Sequence, residues 1–80
     1  GQHLLIDIED VDTEFLDSEQ HLAQAMVDLI TLSGLTLLSY HCHALLPTGV
    51  SCVGVLLESH ISFHTWPKSG VIALDLFTCG

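Results

Sequence analysis

Residues 57–67, LESHISFHTWP, bring one carboxylate, two serines and two histidines into eleven positions. Histidine is the side chain whose ordinary pKa lies nearest neutrality, so a serine and a carboxylate beside it form a recognisable set for nucleophilic chemistry. Strand-like alternation places Glu58, His60, Ser62 and His64 on one face and Ser59, Ile61, Phe63 and Thr65 on the other. Polar groups then occupy both faces, and the residues alone leave two readings open. Either the segment reacts, or its histidines and serines are hydrogen-bonded strand residues.

Composition narrows what such a site could serve. Ten carboxylates stand against one base, Lys68, for a formal charge of −9. Such a chain has no means of neutralising a phosphate backbone, so nucleic acid is excluded as a partner. Cations are the partners an acidic surface attracts. Three cysteines at 42, 52 and 79 form an odd count without paired spacing, and they are read as free thiols in a reducing cytoplasm. Apolar runs end well short of the roughly 20 residues a spanning helix needs, so no membrane role is expected. Nearly half the residues are apolar. In so short a chain this points to burial of one face against another copy, a homodimer.

The elements that must position the segment follow from periodicity. Residues 3–8, HLLIDI, read as a strand, and seven acids at 7–19 lead from it into a solvated loop. Asp17 is the expected cap of a helix over 18–33, in which Leu22, Met26, Leu29, Ile30 and Ser33 recur on one stripe and Gly34 supplies a left-handed end. Strands are expected at 35–43, 50–58, 60–65 and 71–77, separated by turns at Pro47-Thr48-Gly49 and Pro67-Lys68-Ser69-Gly70. One helix and short links imply an α+β two-layer sandwich, a mostly antiparallel sheet covered by that helix, in a single domain over 1–80. His41 and His43 share a strand face, but their spacing to His60 or Cys42 matches no zinc pattern, and no metal is assigned.

The stretch GVSCVGVLLESHISFHTWPKSGVIALDLFTCG, residues 49–80, resembles the prokaryotic S-adenosylmethionine decarboxylases, whose pattern runs G-V-S-G, E-S-H, H-T-W-P-E and D-x-F-T-C-G with the same order and spacing. GQHLLIDI and the helix before Gly34 also fall in the family's places. The resemblance implies a pyruvoyl-dependent proenzyme that cuts itself between Glu58 and Ser59 into segments 1–58 and 59–80. Ser59 would become the pyruvoyl cofactor, with Ser51 and His64 assisting the processing. Cys79 would be the proton donor in decarboxylation of a small amino-acid substrate for polyamine, including spermidine, synthesis.

Two departures fall on substrate-binding positions. Lys68 stands where the family has a glutamate that grips ribose hydroxyls, and Leu45 where it has an aromatic residue that stacks on adenine; Glu58 completes the implied substrate-binding set. Cys52 replaces a glycine after Ser51. These departures leave as alternatives the same chemistry on a non-nucleoside amino acid such as arginine or ornithine, or a non-catalytic regulatory homologue. The family continues beyond Cys79-Gly80 through a further helix and strand.

Overall fold

A computed structural model describes residues 1–79. The elements in chain order are strand β1 (Gln2–Ile8), a one-turn helix α1 (Thr13–Leu16), helix α2 (Glu19–Leu32) and strands β2 (Leu37–Ala44), β3 (Val50–Leu56), β4 (Ser59–Trp66) and β5 (Val71–Thr78), with a 3-10 turn at Pro67–Ser69. The five strands form one sheet in the order β1-β5-β4-β3-β2, and all four pairings are antiparallel. Helix α2 crosses from one edge of the sheet to the other, so β1 and β2 run in the same direction without touching. The expected α+β sandwich is the observed one.

The helix starts one residue later than the acidic cap implied. Ser18 is the N-cap, its hydroxyl accepting from the His21 N–H. Asp17 instead accepts from the Gly49 N–H at 2.8 Å and ties the approach to β3 down. At the other end the Gly34 N–H donates to Thr31 O and the Leu35 N–H to Ile30 O, with Gly34 at φ +72. This paired pattern needs a residue that tolerates the left-handed region. The acidic segment is not all loop: it winds into α1, whose Leu16 is fully buried.

Leu22, Met26 and Ile30 pack onto the sheet, each adding about 1.5–3 kcal/mol of burial. Leu29, expected on the same stripe, lies at its margin and is partly exposed. The helix comes closest at Gly54, where an added Cβ would meet Met26 Sδ at 2.7 Å and Ile61 Cγ2 at 2.9 Å. Inward-facing Val50, Cys52, Leu56, Ile61, Phe63 and Ile72 complete the core.

The opposite face has no helix over it. It presents Val53, Val55, Trp66, Phe77 and Leu5, all exposed between 37% and 69%, together with His41, His43, Ser51, His60 and His64 through the sheet register.

Candidate active site

The residues singled out by sequence fall at two ends of the sheet. At one end β3 and β4 join through Leu57 and Glu58, with Leu56 paired to Ser59. The Leu57 N–H donates to Thr36 O at 3.1 Å, and the Cys79 N–H donates to Glu58 O at 3.1 Å. This second bond matters chemically: the acceptor is the carbonyl of the Glu58–Ser59 peptide, the group that a Ser59 hydroxyl would attack. A fixed donor on a carbonyl oxygen stabilises negative charge that develops there. A cavity of about 360 Å³ adjoins the turn, lined by Gly34, Thr36, Glu58, Ser59, Thr78 and Cys79 among others. Cys79 is an exposed free cysteine.

At the other end Ser51 and His64 are directly paired across β3 and β4, and share a hydrogen bond of 2.9 Å between Oγ and Nδ1. Alternation along both strands puts the pair on the uncovered face. Leu45 lies in the β2–β3 turn, where its N–H donates to Gly49 O at 2.8 Å, and Lys68 is exposed in the turn between β4 and β5. Both substrate-position departures thus lie at the Ser51–His64 end, whereas Glu58 lies at the other.

The face assignment of β4 holds: Ile61, Phe63 and Thr65 are buried, while His60 and His64 are exposed. The free-thiol reading does not hold for two cysteines. Cys42 and Cys52 are partners in the β2–β3 ladder and are joined as a disulfide. Sequence spacing did not reveal the pairing, because placing the turn at Pro47-Thr48-Gly49 leaves the register of the two strands open, and a shift of one residue would separate the two thiols. The bond also removes Cys42 from any ligand set with His41 and His43, since it points into the core and they point away.

Thr65 is a supporting residue that sequence reasoning overlooked. Its hydroxyl accepts from the Val50 N–H at 2.8 Å and donates to Leu16 O at 2.7 Å. The buried threonine, 5% exposed, therefore fastens β3, β4 and α1 together beneath the Ser51–His64 pair. Its position among inward-facing Ile61 and Phe63 was the available signal, because a buried hydroxyl must find partners.

A family model described as S-adenosylmethionine decarboxylase matches residues 2–80. The chain is 42% identical over 80 residues to the S-adenosylmethionine decarboxylase proenzyme of Methanococcus aeolicus, covering all of this chain and 68% of that protein. It is 44% identical to the proenzyme of the same description from Thermosipho africanus, covering 62% of it. The crystal structure of the adenosylmethionine decarboxylase from Aquifex aeolicus superposes with a TM-score of 0.89 at 33% identity, over 98% of this chain and 64% of that one. The chain thus spans about two thirds of the length of the relatives it matches.

Proposed function

Because the chain belongs to the S-adenosylmethionine decarboxylase family, we propose that it is the self-processing core of a pyruvoyl-dependent decarboxylase acting on S-adenosylmethionine and feeding polyamine synthesis. The observation that carries this reading is the Cys79 N–H on the Glu58 carbonyl.

Processing needs only residues of the chain. The Ser59 hydroxyl loses its proton and attacks the Glu58 carbonyl carbon, and the Cys79 N–H donates to the oxyanion that forms. The carbon–nitrogen bond breaks, the amine of residue 59 takes up a proton, and the peptide has become an ester. Removal of the α-proton of residue 59 then expels the Glu58 carboxylate, ending the first segment at residue 58. Water displaces ammonia from the remaining fragment and leaves a ketone at the new amino terminus. A base suited to these proton transfers is a histidine held by a partner, which is what the Ser51–His64 pair is.

The residues present fit a pyruvoyl group at position 59, since the cavity beside Ser59 offers room and Cys79 borders it. The group supplies an electrophilic carbonyl that takes the substrate amine and accepts electrons as carbon dioxide leaves. The Cys79 thiol would return a proton to the α-carbon.

One protomer does not complete this arrangement. Ser59 and His64 are five residues apart on β4, about 16 Å along an extended strand, and they face opposite sides of it. A homodimer through the uncovered face removes the separation along the strand. That face is apolar enough to need cover, with Val53, Val55, Trp66 and Phe77 exposed on it. A second copy laid antiparallel across it carries its own Ser51 and His64 toward the first copy's Glu58–Ser59 bond. We place the protein in the cytoplasm, a compartment where few disulfides persist, although Cys42 and Cys52 are joined in this structure. The ladder pairs these residues whether or not their sulfurs are joined.

Intact mass under denaturing conditions tests the reading. Two fragments divided before Ser59, the second reacting with a carbonyl reagent, are expected. A shared site adds a sharper test: His64→Ala chains alone stay whole, but about half of them cleave when refolded with an equal amount of Ser59→Ala chains. Cleavage that never returns on mixing would remove the dimer from the proposal, and an unbroken wild-type chain would remove the processing.

A further inference from the structure

The uncovered face holds a second group of histidines that the processing chemistry does not use. His41 and His43 project from β2, the outer strand of the sheet, with their Nε2 atoms 2.8 Å apart. Their ring centroids are 4.3 Å apart and their planes are inclined by 79°. Both side chains are exposed.

These distances discriminate between two arrangements of the rings. Two imidazoles pointing head-on along an N–H···N bond would place their centroids about 5 Å apart, because each centroid lies a little over 1 Å behind its nitrogen. The observed separation is shorter, so the two rings are bent away from a head-on arrangement. Nitrogens held at right angles, each about 2.0 Å from one metal ion, stand about 2.8 Å apart with centroids about 4.4 Å apart. A tetrahedral ion would spread the same nitrogens to about 3.3 Å. The observed spacings, which in the metal-free chain belong to an Nε2–Nε2 hydrogen bond, thus match those of a cis pair in a tetragonal coordination plane, the geometry of copper(II) and nickel(II) with imidazole ligands.

We propose that His41 and His43 form a two-nitrogen chelate for a tetragonal divalent metal ion, copper(II) or nickel(II), with water in the remaining positions. Local structure favours the chelate in two ways. Alternate residues of a strand share a face, so the two rings are aligned before any metal arrives. The strand itself is held on its inner face by the Cys42–Cys52 link, between the two histidines in sequence. Among the described residues no third His, Cys, Asp or Glu joins the pair, so water would complete the coordination. His43 is paired across the ladder with Ser51, and a bound ion would stand beside the Ser51–His64 pair.

Titration of the tag-free chain with nickel(II), followed by calorimetry, tests the site without oxidising Cys79. Copper(II) paramagnetic resonance then counts the nitrogen ligands. One ion per chain with two nitrogens is expected, and zinc(II) should bind more weakly than either. His41→Gln and His43→Gln should each weaken nickel binding by tenfold or more, and the double variant should add little because either loss already breaks the chelate. His21→Gln, on the exposed side of α2, serves as the control and should bind as the wild type does. Circular dichroism confirms that each variant keeps its fold. Nickel affinity unchanged in His41→Gln, or lost equally in His21→Gln, would overturn the proposal.

Discussion

The two ends of the β3–β4 hairpin are built differently. Around Ser51 and His64 the chain is fastened by side chains: Thr65 joins Val50 to Leu16, Asp17 holds Gly49, and the Thr13 hydroxyl reaches Pro67 O. Around Glu58 and Ser59 the turn is held by the backbone bonds from Leu57 to Thr36 and from Cys79 to Glu58, beside an open cavity. The difference suits the two tasks. A residue that moves protons gains from a fixed position, whereas a peptide that must rearrange to an ester and then part needs room and a donor that survives any side-chain change. Side-chain support is concentrated at the Ser51–His64 end, and space at the Glu58–Ser59 end where cleavage is proposed.

Cys79→Ala tests that division most strongly. The substitution removes the thiol and keeps the backbone N–H on Glu58 O, so the chain should still divide before Ser59. Carbon dioxide release should fall by about 10²–10⁴-fold, the usual worth of a positioned proton donor. Intact mass and a decarboxylation assay on the same preparation separate the two effects. Failure to cleave would mean that the thiol, rather than the amide, supports the carbonyl.

Thr65→Val removes the side-chain fastening at the opposite end. The Val50 N–H and the Leu16 carbonyl lose their shared partner inside the protein, and an abandoned buried polar group costs about 1–3 kcal/mol each. The urea midpoint should fall accordingly. Little change would show that backbone pairing alone holds β3 to β4, and that the contrast between the ends is smaller than the hydrogen bonds suggest.

Lys68→Glu concerns the substrate rather than the scaffold. Lys68 lies at the Ser51–His64 end, exposed in the turn after β4, and its charge opposes a sulfonium brought to the site. Exchanging it for a carboxylate removes that repulsion and adds an acceptor for ribose hydroxyls. KM for S-adenosylmethionine should fall by about tenfold, equivalent to about 1.4 kcal/mol, with kcat little changed. An unchanged KM would place Lys68 outside the substrate's reach.

How much of this was legible in the sequence differs between backbone and site. Helix α2 showed itself through Leu22, Met26 and Ile30 at helical spacing, and its end through Gly34, because these signals are local. Strands β3, β4 and β5 followed from β-forming runs bounded by the glycine-containing turns at 47–49 and 67–70, whereas the tight Leu57-Glu58 turn between β3 and β4 carries no such signal. Helix α1 was hidden because the acids around Leu16 read as a solvated run, and its burial depends on contacts distant in sequence, such as Thr65. The ladder also decided the Cys42–Cys52 bond, which local spacing could not. For the site, the E-S-H and H-T-W-P strings singled out Ser59 and His64, and alternation already put them on opposite faces; only the ladder showed that His64 pairs with Ser51 at the far end of the hairpin. That separation comes from strand rise and pleat, and it turns a list of catalytic candidates into an argument for a second copy.

Gly34→Ala gives the smallest effect and acts at the open end. Gly34 ends α2 at φ +72 and lines the cavity beside Ser59. An added Cβ there meets nothing within 4 Å, so any cost is conformational and not steric contact with neighbours. A non-glycine residue in the left-handed region costs about 1 kcal/mol, which a thermal melt should register as a shift of a few degrees. Because Leu35 and Thr36 follow directly, and Thr36 O holds the Leu57 N–H, a loosened helix end should also slow cleavage before Ser59 by a small factor. A melt lowered with cleavage untouched would show that the turn is held by the sheet alone, and that the open end owes nothing to the helix packed behind it.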